Sequence, residues 1–265
     1  MISTAPCERW WTVTRGPGPV LATAIHDGHD LRPAVAQAIN LSDSDRLREE
    51  DPFTAQAVTG VPTHIVVHRS RFEFDLNRPA ETAVYLTPEQ SWGLQVWRSE
   101  PHQDLVADSL AIHAAYYRML GTLLDEMVEE HGRFVLIDAH SYNHRRNGPD
   151  STAMPQENAP DVNIGTFSMP RTEWAFLLDP LMEEMRHFDF NGRALDIREN
   201  VAFLGKGEQT RFVHDLYPGS GCAIALEFKK FFMDEWTGEP DSAELKAMRD
   251  FITRSAEFAA ELLRP

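Results

Sequence analysis

Cysteine is nearly absent: only Cys7 and Cys222 occur in 265 residues, too few for a disulfide framework and without metal-binding spacing. Long apolar runs are missing too. None approaches the roughly 20 residues that a membrane-spanning helix needs. The amino-terminal MISTAPCERWW has no basic region followed by an apolar core, so no signal peptide is expected. Positive charge is scarce, with 25 Lys and Arg against 41 Asp and Glu and a formal net charge of −16. Such a surface repels nucleic acid and anionic lipid, so neither is expected as a partner. An anionic substrate would need locally concentrated arginine, and a cytoplasmic location is the expectation. No internal repeat or low-complexity linker divides the chain, and residues 1–265 read as a single domain.

The apolar pattern then supplies the elements. VLATAIH, Val20 to His26, reads as a short buried strand ending at a histidine, and Gly28 in the following DGHD suits a sharp turn. Leu31 to Asp51 looks helical, with a capping start at Ser42 or Asp43. Thr63 to Pro79 is β-rich: Ile65 to Val67 form a buried run, and Phe72 and Phe74 alternate with polar neighbours. His102 to His131 carries the longest helical pattern, stopped by Gly132. The strand FVLIDAH follows at once. Asn143 to Asn163 reads as a long polar loop, functional or mobile, and Thr172 to Phe188 as a helix kinked or restarted near Pro180. GKGEQTRFVH, Gly205 to His214, lacks a phosphate-loop pattern and reads as a mobile loop near the site. ALDIREN and AIALEFKKFF, Ala223 to Phe232, look like strands, and Ser242 caps a closing helix. Cys222 and the HAAYYRM segment read as core. This alternation predicts an α/β fold: one three-layer domain with a central mixed, mostly parallel sheet flanked by helices.

Ligand sites in open α/β sheets collect at the carboxyl ends of strands. Here such ends or interiors carry His26, His140 and Glu227. Asp138 shares a strand face with His140, where it could orient a ligating imidazole or pair with an arginine. Glu227 lies among apolar neighbours and is costly to bury unless it is functional or pairs with Lys229 or Lys230. Arg69, Arg71, Asp75, Asn77 and Arg78 crowd another strand and its exit, offering the forked donors that suit a carboxylate.

These segments carry a resemblance. HDG (His26 to Gly28), ED before PFT, SRF before DLNR (Asp75 to Arg78), IDAHS (Ile137 to Ser141), PDVNIGT (Pro160 to Thr166) and ALEF (Ala225 to Phe228) resemble, in chain order, elements of the N-formylglutamate amidohydrolases. The DLNR segment is also similar to that of aspartoacylase and succinylglutamate desuccinylase, relatives of the zinc carboxypeptidases. The resemblance spans roughly residues 20–230. Ile25 stands where that family usually has proline.

The resemblance implies a zinc-carboxypeptidase-like fold and one divalent metal, zinc, held by His26, Asp51 and His140 with an open position for water. His29 competes with Asp51 as third ligand, and Glu50 is a weaker alternative. Glu227 matches the general base, and Arg71 the stabiliser of the oxyanion or of a nearby carboxylate. Asn77 and Arg78 would clamp a substrate α-carboxylate. On the loop after His140, Arg145, with His144 and Arg146, would read the far end of the substrate or form a solvated basic turn. The expected activity is hydrolysis of an amide in a small anionic N-acyl, possibly N-formyl, amino acid. A small zinc carboxypeptidase is the alternative enzyme, and an inactive small-molecule-binding protein of the same fold is the alternative outside catalysis.

Overall fold

A computed structural model describes residues 10–264; Cys7 and the amino-terminal stretch read for a signal peptide lie outside them. The strands are β1 (Trp11–Thr14), β2 (Val20–Ala24), β3 (Thr63–Val67), β4 (Phe134–Tyr142), β5 (Val162–Gly165), β6 (Ile197–Glu199) and β7 (Gly221–Lys229). The helices are α1 (Pro33–Ala38), α2 (Asp43–Glu49), α3 (Thr54–Val58), α4 (Gln103–His131), α5 (Ala175–His187), α6 (Glu208–Leu216) and α7 (Ser242–Leu262). The strands form one seven-stranded sheet in the order β1-β3-β2-β4-β7-β5-β6. The β3-β2-β4-β7 run is parallel, whereas β1 joins β3 and β5 joins β7 antiparallel. The predicted mixed, mostly parallel sheet flanked by helices is therefore what the chain forms.

Side-chain alternation distributes the core over both faces. Ala22, Val135, Ile137, Ile224 and Leu226 pack with α3, α5 and α7, while Leu21, Leu136 and Ala223 pack with α4 and α6. Because β4 and β7 are buried at every position, each polar side chain within them is held inside the protein. Among the described residues, no helix is long and apolar enough to cross a membrane.

Several elements differ from expectation. The helical stretch from Leu31 to Asp51 is broken after Ala38, because Ile39 turns extended and bridges Trp97 while Asn40 N–H donates to Val96 O at 2.7 Å. Ser42 then starts α2 with a capping box. The β-rich stretch ends at Val67: Phe72 and Phe74 are buried, but in turns wound around Asp75, whose N–H donates to Ala83 O at 2.7 Å. Where a loop is expected over Gly205 to His214, residues 208–216 form α6, and the cap of α7 is Asp241, which accepts from Ala243 and Glu244 N–H. The polar stretch after Asn143 closes in a short strand, β5.

Candidate active site

Three chain segments converge beyond the carboxyl ends of β2 and β4. His26 follows β2, Asp51 follows the end of α2, and His140 lies near the end of β4. The main chain couples two of them directly, since Asp51 N–H donates to His26 O at 2.9 Å. The turn after His26 requires Gly28: a Cβ there would lie 2.2 Å from the His68 carbonyl carbon.

Asp51 Oδ2 lies 3.3 Å from His26 Nδ1 and 3.0 Å from His140 Nδ1, and the rings are 4.9 Å apart between centroids. Ser141 Oγ donates to the second oxygen, Oδ1, at 3.0 Å. All three side chains are buried, and their ligand atoms fall within 4.8 Å of one another. Burial opposes ionisation of Asp51, but the His140 and His26 imidazoles beside it hold its carboxyl well below the usual range. Burial also disfavours charge on His140, yet Asp138, Glu227 and Asp51 raise its pKa well above the ordinary value. The pocket therefore calls for positive charge beside Asp51, which a proton or a cation can supply.

The donor set fits a divalent cation. His26 Nδ1 is buried without a hydrogen-bond partner, whereas its Nε2 lies 2.7 Å from Asp75 Oδ1. A proton on Nε2, donated to Asp75, leaves Nδ1 as a lone-pair donor facing Asp51. His29 does not join the cluster: its Nδ1 meets Glu50 at 2.5 Å and its Nε2 meets Arg46 at 3.0 Å. Glu50 is itself engaged by His29 and Ser70.

Glu227 sits directly across from His140 in the β4–β7 register. Lys229 instead pairs with Asp161 at 2.7 Å, and Lys230 Nζ donates to Arg48 O and Glu50 O at 2.6 and 2.8 Å. Neither lysine neutralises Glu227. Burial raises its pKa to about 7, with His140 lowering it and Asp51 raising it. Glu227 is thus a carboxylate poised to exchange protons near neutral pH.

The turns from Ser70 to Pro79 bring Arg71 and Asn77 to the same cavity, about 110 Å³ in volume. Arg71 donates to Asp75 Oδ2 at 2.8 Å, Glu49 O at 3.2 Å and the Tyr85 hydroxyl at 3.2 Å. Its cation also lies 4.8 Å from the Trp92 ring centroid. Asn77 Oδ1 is buried without a hydrogen-bond partner. Gly207 makes room for it, since a Cβ there would lie 1.9 Å from Asn77 Oδ1. Arg78 does not line the cavity; it lies over the Tyr85 ring at 4.7 Å and 3.5 Å from Asp75. Arg145 is likewise turned outward, donating to Asp234 at 2.8 Å and to Pro149 O at 3.3 Å. Its neighbour Arg146 reaches the cavity wall, 3.4 Å from Glu49.

Sequence reasoning missed Glu49, Trp92, Asn143, Phe203 and Lys230 as lining residues. Lys230 carried a signal, a cation three residues after Glu227, but its role depends on the Arg48 and Glu50 carbonyls, which no local pattern reveals. Burial lowers its pKa to about 8.

The model of the N-formylglutamate amidohydrolase family matches residues 18–232. No curated protein sequence matches. Among solved structures, an N-formylglutamate amidohydrolase from Ralstonia eutropha JMP134 is similar, with 12% identity, a TM-score of 0.71 and coverage of 96% of this chain and 98% of that one. A gene product from Agrobacterium tumefaciens is also similar, with 15% identity, a TM-score of 0.64 and coverage of 96% and 95%. At these identities the two structures speak to the fold.

Proposed function

Because the chain belongs to the N-formylglutamate amidohydrolase family, we propose that it is a zinc-dependent amidohydrolase acting on a small N-acyl amino acid such as N-formylglutamate. The observation that carries this reading is the buried cluster of His26, Asp51 and His140 with Glu227 beside it. Two imidazoles and one carboxylate suit zinc in a catalytic setting. When bound, zinc supplies Lewis acidity toward the amide carbonyl and lowers the pKa of a water.

The protein's own groups do the rest. Glu227, with its pKa near 7, takes a proton from the attacking water and returns it to the leaving amine. Arg71 keeps N–H groups beyond its three present bonds and faces the charge that develops on the carbonyl oxygen or the substrate carboxylate. Asn77 offers an amide whose oxygen has no partner, to the amino-acid part of the substrate. Arg146 replaces Arg145 as the cation at the far end of the cavity. Arg71, Arg146 and Lys230 thereby place cations on the cavity wall of a chain with net charge −16. At about 110 Å³ the cavity is well below the roughly 300–1,000 Å³ of drug-sized pockets, which favours a short N-acyl amino acid over a peptide terminus.

The test pairs metal content with turnover. Wild-type protein should hold near-stoichiometric zinc by plasma mass spectrometry and release amine from N-formyl-L-glutamate, and His140→Ala should lose both. A wild-type chain that takes up no zinc on reloading, or that cleaves peptides and no N-acyl amino acid, refutes the reading.

A further inference from the structure

Behind His140 runs a buried polar chain that the proposed chemistry does not use. Tyr116 on α4 donates its hydroxyl to Gln209 Oε1 on α6 at 2.6 Å. Gln209 Nε2 donates to Thr23 Oγ1 on β2 at 2.7 Å, and Thr23 donates to Asp138 Oδ1 on β4 at 2.9 Å. All four side chains are fully or almost fully buried, on the sheet face that packs against α4 and α6. The direction of the chain is fixed at one end. An ionised Asp138 only accepts, so the Thr23 hydroxyl must point at it and can itself accept only from an N–H. That requirement orients the Gln209 amide, whose oxygen then takes the Tyr116 proton. Burial and Asp138 raise the Tyr116 pKa well above the ordinary value, which keeps it a donor.

The chain occupies Asp138 Oδ1 and leaves Oδ2 over. Oδ2 lies 3.0 Å from His140 Nε2, and both atoms are buried without a hydrogen-bond partner. They are complementary orphans, an acceptor and a ring nitrogen at bonding distance but off line. A proton on Nε2, steered onto Oδ2, commits Nδ1 of His140 to face Asp51 as a lone-pair donor. We infer that Thr23, Gln209 and Tyr116 are positioning residues that act through Asp138 to set the ring orientation and tautomer of His140. This rests on the reading of His140 as a metal ligand. It adds helices α4 and α6, far from the cavity in sequence, to what the site depends on. A chain of this kind also explains why Thr23 sits in the otherwise apolar VLATA strand and why Gln209 is fully buried.

The experiment compares Thr23→Val, which keeps the shape and removes the hydroxyl, with Thr23→Ser, which keeps it. Two quantities are read for each: the zinc dissociation constant by chelator competition, and the His140 ring resonances in nitrogen-15 spectra of the zinc-loaded protein. Thr23→Val should bind zinc about 10- to 100-fold more weakly and lose or shift the His140 Nε2–H resonance, and Thr23→Ser should match wild type. If Thr23→Val does not fold, Tyr116→Phe carries the same comparison, with a smaller weakening in the same direction expected two links farther away. Wild-type zinc affinity and an unmoved His140 resonance in the variant overturn the inference and leave the proposed function standing. A wild-type chain without zinc affinity overturns both.

Discussion

His26 Nε2 lies 2.7 Å from Asp75 Oδ1, and both side chains are buried. Asp75 also accepts from Arg71 at 2.8 Å, from Asn77 N–H at 2.8 Å and from the Tyr85 hydroxyl. One carboxylate thus holds a candidate metal ligand, a candidate oxyanion stabiliser and the turn that presents Asn77. Burial opposes its ionisation, but Arg71 and His26 hold its pKa well below the usual range.

Asp75→Asn should therefore damage metal binding and fold together. The amide puts an N–H against a group that already donates and leaves the Arg71 charge uncompensated. Zinc affinity is expected to fall about 10- to 100-fold, and stability by on the order of 3 kcal/mol. Chelator competition and denaturant unfolding of the metal-free protein measure the two effects separately. A variant with wild-type zinc affinity would show that His26 is not oriented through Asp75.

Glu227 offers a prediction with a sign. Burial raises its pKa from 4.5 to about 7, so the folded state holds a proton that the unfolded chain releases across that interval. Its favourable contribution is complete below pH 4.5 and is lost as pH rises through about 7, leaving a cost of on the order of 3 kcal/mol in alkaline solution. Glu227→Gln removes that cost. Metal-free Glu227→Gln should melt higher than wild type at pH 8 and show little difference at pH 4.5, while hydrolysis falls about 10²- to 10⁴-fold. Equal gains at both pH values would mean that charge burial is not the cause.

The ends of β2 and β4 were legible because a short apolar run that stops at a histidine is a local pattern, and the sheet imposes it. Helix α4 was legible for the same reason, with a left-handed Gly132 at its stop. The turns from Ser70 to Pro79 were misread because Phe72 and Phe74 alternate as a strand would, while the chain curls around Asp75. Helix α6 was hidden by its flanking glycines and its short length of nine residues. The partners of Lys230 and the outward turn of Arg145 depend on contacts across the sequence, and no periodicity encodes them.

Lys230 tests how Asp51 is held. Its ammonium donates to the carbonyls of Arg48 and Glu50, immediately before Asp51, and Asn143 and Arg71 donate to Arg48 O and Glu49 O. Burial lowers the Lys230 pKa from 10.5 to about 8. The stability linked to that shift is present above pH 10.5 and lost as pH falls through about 8. Lys230→Met strands Glu50 O at about 1–3 kcal/mol, while Asn143 still serves Arg48 O, and near pH 7 the relieved burial of charge offsets that loss. The variant should be less stable than wild type at pH 10, and the gap should widen between pH 8 and 10. Thermal melts across that range decide it; a gap that narrows would place the lysine's charge elsewhere.

The two neighbouring arginines after His140 separate cavity from surface. Arg146 lines the cavity and lies 3.4 Å from Glu49, while Arg145 bonds Asp234 at the rim of a different depression. A charge-assisted contact to substrate contributes about 1.5–3 kcal/mol, so Arg146→Ala should raise KM for N-formyl-L-glutamate by roughly 10- to 100-fold with a smaller change in kcat. Arg145→Ala removes a half-exposed pair with Asp234 and a bond to Pro149 O, and should leave both constants within about twofold. Steady-state kinetics on the two variants measure this contrast. An effect of Arg145→Ala equal to that of Arg146→Ala would mean that the loop swings during turnover, bringing Arg145 inward from its contact with Asp234.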